Sequence, residues 1–245
     1  MYKMLKLSWL NVKNTIGSRK LLLGIIAAFA YSMLWIVFVQ PKHYGLVEYD
    51  FEFGRFLYLM ILYASVSILR NDIKFNTSKT LFTGIFTRTQ VMLSKGIGLI
   101  MLGIVFGVVV ELNNILAALI LHNKIGLTGF LVLNHAELFV ANIAITFTMG
   151  SLMILIASLM FNGNKAILFF IVFLSMINFY TAGISTLAKL HPEVVHNVFV
   201  YMKTPFYITE DLMQGNFSFE SIVIYMLWAA AFYAGSIIVI NKREI

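Results

Sequence analysis

Six apolar runs, each long enough to cross a lipid bilayer as a helix, constrain what this 245-residue chain can fold into. They fall at about 21–39, 53–69, 97–120, 135–161, 166–187 and 221–240, against about 20 apolar residues needed for one helical crossing. Lipid offers no partner to an open backbone hydrogen bond, so each run is expected as a helix. The alternating ten-residue segments of a membrane barrel are absent. Six crossings use roughly 120 positions, and the connections left over are too short for a second folded unit. The expected fold is therefore one all-α transmembrane domain over residues 1–245. Composition agrees: 60% of residues are hydrophobic and 12% charged, against roughly 25% charged in soluble domains. A disordered chain, a collagen-like fibre and a conventional soluble enzyme are excluded.

The net charge of +7 is distributed unevenly, and its distribution predicts the topology. Lys3, Lys6, Lys13, Arg19, Lys20, Arg70, Lys74, Lys79, Arg88, Lys95, Lys165, Lys242 and Arg243 share one set of segments, with only Asp72 and Glu244 as acids. The alternate segments hold Lys42, Arg55, Lys124, Lys189 and Lys203 against Glu48, Asp50, Glu52, Glu193, Glu210, Asp211 and Glu220. By the positive-inside rule both termini lie in the cytoplasm, and 40–52 and 188–220 lie outside a cell membrane. These basic residues sit at membrane edges, so phospholipid headgroups rather than nucleic acid are their expected partners.

The first run, at about 19 residues, exceeds the 7–15 of a signal-peptide core, and no small-x-small site precedes Gln40-Pro41. It is expected to stay in the chain. Residues 1–20, drawn as a helix, place Leu5, Trp9, Val12 and Ile16 on one face and Lys3, Lys6 and Lys13 off it. That pattern suits a helix lying in the cytoplasmic interface, or a basic anchor with incidental periodicity.

Chemistry is sparse. Without cysteine there is no disulfide framework, thiolate metal site or cysteine nucleophile. The stretch His191-Pro-Glu193 to His196 spaces its histidines five apart with a proline between, unlike a zinc-protease helix. His135-Ala-Glu137 lacks a third ligand, and no metal site is expected. No G-x-x-x-x-G-K-[ST] loop occurs, so the chain is not expected to hydrolyse ATP itself.

Within the runs, the third carries Gly103, Gly107, Glu111 and Asn114 on one helical face. Small residues permit close helix approach, and an ionisable residue at depth marks either a packed polar end or a translocation pathway. In the fifth run Ser175, Asn178, Ala182 and Ser185 form a small polar face, where Asn178 needs a hydrogen bond or a cavity. Gly24, Ala28 and Ser32 mark a close-packed face in the first run.

The long loop at 70–94 contains Thr77, Leu81-x-Thr83-Gly84-x-x-Thr87-Arg88 and Lys95 at the start of the third run. This pattern resembles the loop between the second and third helices of ABC-2-type transporter permeases, with Ile85 where that family commonly has proline. The six-span layout, inner termini, interfacial N-terminal helix and long last outer segment are similar to the same family. The small permeases of Gram-positive peptide exporters are most alike, the staphylococcal phenol-soluble-modulin exporters among them. The resemblance implies a coupling helix around Thr83, Gly84, Thr87 and Arg88 that docks on two copies of a cytosolic ABC ATPase. It also implies ATP and Mg on that partner rather than on this chain, and a second permease copy or paralogue. The aromatic segment 188–220, with Pro192, Pro205, Tyr201, Phe206, Tyr207 and Phe217, resembles the family's re-entrant element. The implied function is export of amphipathic peptides or lipid-like compounds. An ion-coupled secondary transporter is the alternative, with Glu111 and Glu137 as candidate coupling groups; a membrane hydrolase would need a convergent catalytic set that is not visible.

Overall fold

The computed structural model describes residues 2–74, 87–160, 164–191 and 201–242. Nine α-helices and no strand occur among them: α1 Tyr2–Ile16, α2 Arg19–Met33, α3 Leu46–Lys74, α4 Arg88–Ile120, α5 Gly126–Val132, α6 His135–Leu159, α7 Asn164–Leu190, α8 Pro205–Met213 and α9 Phe219–Lys242. Six are long and apolar enough to cross a membrane, the first being α2 continued by a π-helical turn at Leu34–Val39. That turn stops at Gln40, whose backbone is left-handed (φ 37°) and whose Nε2 donates back to Ile36 O at 2.8 Å.

Helices α3, α4 and α6 form the centre, with α9 packed along α6 and α2 along α3. Burial follows that arrangement: 61% of the apolar window of α3 is buried, against 17% in α2 and α9. Leu23, Ile26 and Leu227 accordingly turn outward, as side chains do where the surrounding solvent is as apolar as they are. Phe53, Leu57, Leu102, Phe106, Met149 and Met153 fill the centre.

Three expectations change. The second span begins at Leu46 rather than 53, because Asp50 and Glu52 lower the local hydropathy yet are 6% and 5% exposed, turned into the protein. The third begins at Arg88 rather than 97, and Lys95 within it is fully buried. In α1 the apolar stripe does not act as one face. Val12 is buried beside Ser8, Asn11 and Thr15, while Leu5 and Trp9 are 38% and 56% exposed. Small hydroxyl and amide residues let α1 approach α4 as a tryptophan could not, and the Ser8 hydroxyl reaches the Ser94 carbonyl at 2.7 Å. Around the helix the protein-facing, apolar and lysine sectors follow one another at intervals of about 90–100°.

Candidate functional site

The start of α4 is built first by capping. Thr87 accepts from Gln90 N at 3.2 Å while the Gln90 side chain accepts from Thr87 N at 3.0 Å, a reciprocal box that sets where the helix begins. One residue on, Arg88 Nη1 donates to the carbonyl oxygens of Ile240 and Asn241, each at 3.2 Å. These are last-turn carbonyls of α9, where the helix dipole favours a cation. Tyr233 of α9 accepts from Gly96 N at 2.9 Å and donates to Met92 O. Lys95 Nζ donates to Ile68 O of α3 at 3.0 Å. The first three turns of α4 are thus tied to α1, α3 and α9. Of the four expected coupling residues, Thr87 and Arg88 lie here; Thr83 and Gly84 lie outside the described residues.

The third-span stripe packs on α6. A Cβ added at Gly103 would stand 2.7 Å from the Ile143 Cα, and one at Gly107 would stand 3.0 Å from the Phe139 ring. At Gly103 only glycine lets the two backbones come so close, whereas at Gly107 the neighbour is a side chain. Further along, Glu111 is partly exposed and accepts from His135 Nδ1 at 3.0 Å, while His135 Nε2 lies 2.9 Å from Phe130 O. Both ring nitrogens thus stand within hydrogen-bond distance of an oxygen acceptor. Asn113 and Asn114 are fully buried, and neither amide has a hydrogen-bond partner.

At the same end, Asn178 of α7 donates to Glu210 Oε2 of α8 at 3.1 Å, joined by Gln214 Nε2 at 3.2 Å. Burial pushes Glu210 up to about 7, against these hydrogen bonds and the Arg55 guanidinium, which hold it down. Arg55 lies 3.5 Å from Glu52 and stacks on Phe179 at 4.1 Å, while the Tyr31 hydroxyl donates to Glu52 at 3.1 Å. This network joins α2, α3, α7 and α8. The stripe and Asn178 therefore make separate contacts: Gly103, Gly107 and Glu111 against α6, Asn178 against α8.

Asp50, Glu52 and Glu210 escaped the sequence reading because they stand in segments assigned to outer connections, and Arg55, inside the second run, was counted with the charges of those connections. A signal existed: Leu46, Tyr49, Phe53 and Leu57, three or four apart and all buried, carry the helical apolar face straight through the acids. Glu210 left no comparable trace. The chain matches no protein-family model and no curated protein.

Proposed function

We propose that this chain is the membrane-spanning permease subunit of an ATP-driven exporter, with its basic end and both termini in the cytoplasm. Two permease copies, or this chain and a paralogue, pair with two cytosolic ATPase subunits that bind ATP and Mg. The observation that carries the reading is the bracing at the start of α4. A push delivered through the loop that ends at Thr87 reaches α9 through Arg88 and Tyr233, α3 through Lys95 and α1 through Ser94. At about 1.5 Å per residue, the 33-residue α4 is about 50 Å long, beyond the ~30 Å hydrocarbon core. In this reading its capped end stands at the cytoplasmic face, where the ATPase docks.

In this reading α1 lies in the inner interface, with Leu5 and Trp9 in lipid and its lysines in water. Helix α8 dips into the outer leaflet, where the Asn178 amide donates to Glu210. ATPase states drive transport only as far as they favour one permease conformation over another.

Buried Asp50, Glu52 and Glu210 support a second reading, an ion-coupled transporter, since intramembrane carboxylates mark proton and cation pathways. Reconstitution in vesicles separates the two. The permease reading requires co-purification with a nucleotide-binding subunit and uptake that stops when ATP is withheld. Uptake by this chain alone, driven by a proton or sodium gradient, sinks it.

A further inference from the structure

Where α3, α4, α6 and α8 meet, a small hollow has room for a single water, about 20 Å³. Its walls are mostly apolar, Leu57, Val110 and Ile145 among them, with two polar side chains, Asp50 and Asn142. No lysine, arginine or histidine lines it. A wider hollow of about 70 Å³, room for a few waters, shares Leu138, Ala141 and Leu212 with it and reaches the exposed Glu137.

Asp50 is 6% exposed, its Oδ1 has no hydrogen-bond partner, and it forms no ion pair with any described residue. Asn114 of α4 stands next to this carboxylate, fully buried, with neither its amide oxygen nor its nitrogen paired. The broad terminal torsion of asparagine lets either atom turn to the acid. Asn142 of α6 spends its amide hydrogen on Leu138 O at 2.9 Å, which leaves its carbonyl oxygen to accept in the hollow. Glu111 adds negative potential nearby. An isolated buried anion and an unpaired buried amide are both costly, so this place lacks a positive charge.

The donors are hard oxygens, and only one of them faces the hollow with a full charge. A transition metal favours imidazole or thiolate, and calcium gathers about 6–8 oxygens. One negative charge beside a one-water space matches a singly charged ion stripped of most of its water. A proton would neutralise Asp50 but leave the hollow and the Asn142 oxygen unused. We propose that Asp50, Asn114 and Asn142 bind a sodium-sized monovalent cation between α3, α4 and α6. The wider hollow, with Glu137 at its edge, is the hydrated way in. The site goes beyond the export reading and needs neither ATP nor a second subunit: the ion ties three central helices together by neutralising the acid between them.

The test uses the full-length protein in nanodiscs of zwitterionic lipid, with sodium chloride replacing choline chloride at constant ionic strength. An ion bound by the folded state alone raises the thermal midpoint with its concentration, and sodium NMR relaxation reports the binding directly. A saturable rise in midpoint and a broadened sodium signal are expected. D50N should lose both, while its midpoint in choline alone equals or exceeds that of the native protein, because a buried charge is gone. N114A and N142A keep the carboxylate and should each weaken sodium by about tenfold, as losing one polar partner of a charge does. These two variants carry the test should D50N fail to fold. A midpoint indifferent to sodium, a sodium response unchanged in D50N, or one unchanged in both N114A and N142A overturns the proposal. So does a neutral-acid infrared band that persists at saturating sodium and vanishes in D50N, which would assign the site to a proton.

Discussion

Arg88, one residue into the third span, holds the end of the sixth: its Nη1 donates at 3.2 Å to the last-turn carbonyls of Ile240 and Asn241. The two ends are 152 residues apart in sequence, yet one guanidinium satisfies helix-terminal oxygens that would otherwise need water. In the permease reading this contact transmits what the loop receives. R88E places a carboxylate against the negative end of a helix dipole and removes both hydrogen bonds, a loss of about 1–3 kcal/mol. ATP-driven transport should fall at least tenfold while insertion into the membrane persists. R88K, which retains charge but not the planar fork, should fall between. Transport by R88E at the native rate would remove this contact from the mechanism.

The two stripe glycines should differ in their tolerance of alanine. At Gly103 the new methyl meets the Ile143 backbone Cα at 2.7 Å, which moves only if α6 moves. At Gly107 it meets the Phe139 ring at 3.0 Å, and a side chain has rotamers to spend. G103A is expected to destabilise by about 1–3 kcal/mol and G107A by less, as overpacking does. Thermal unfolding in one detergent provides the comparison. G107L should impair assembly in either case.

E111Q separates packing from charge toward the Asn114 end of the stripe. If Glu111 serves only to hold His135, at 3.0 Å, the amide accepts the same hydrogen bond and transport persists. Loss of transport in a folded E111Q complex would assign the carboxylate to the pathway.

Glu210 sets a pH dependence whose direction can be stated. Its folded value, about 7, lies above the ordinary 4.5, chiefly through burial. Between those values the folded protein binds more protons than the unfolded chain, so stability falls as pH rises. The contribution is full below about 4.5 and is lost as pH passes through about 7. E210Q cannot titrate and still presents an oxygen to Asn178. The thermal midpoint of the native protein should therefore drop relative to E210Q between pH 5 and 8. Parallel curves would show that Glu210 titrates alike folded and unfolded.

Orientation can be read by cysteine labelling, which is clean because the chain has no cysteine of its own. K13C lies on the exposed lysine side of α1, and E48C lies exposed in the first turn of α3. An impermeant maleimide added to intact cells should label position 48 and spare position 13. The reverse pattern would invert the topology.

All six long helices were legible in the amino-acid sequence because apolar runs of this length admit one backbone solution in lipid. The face of α4 bearing Gly103 and Gly107 was legible too, since helical spacing alone places small residues together. What the pattern could not carry was partnership. Asp50 and Glu52 read as loop acids because hydropathy scores a residue by its own polarity, whereas burial depends on neighbours supplied by other helices. Lys95 is fully buried because the Ile68 carbonyl receives its ammonium, a contact between helices that no local spacing encodes. Asn178 meeting Glu210, and Arg88 meeting Asn241, are of the same kind. Covalent spacing and the solvent decide which segments become spans. Only the packed bundle decides which polar groups within them find one another, because that depends on the rotation and depth of each helix against the rest.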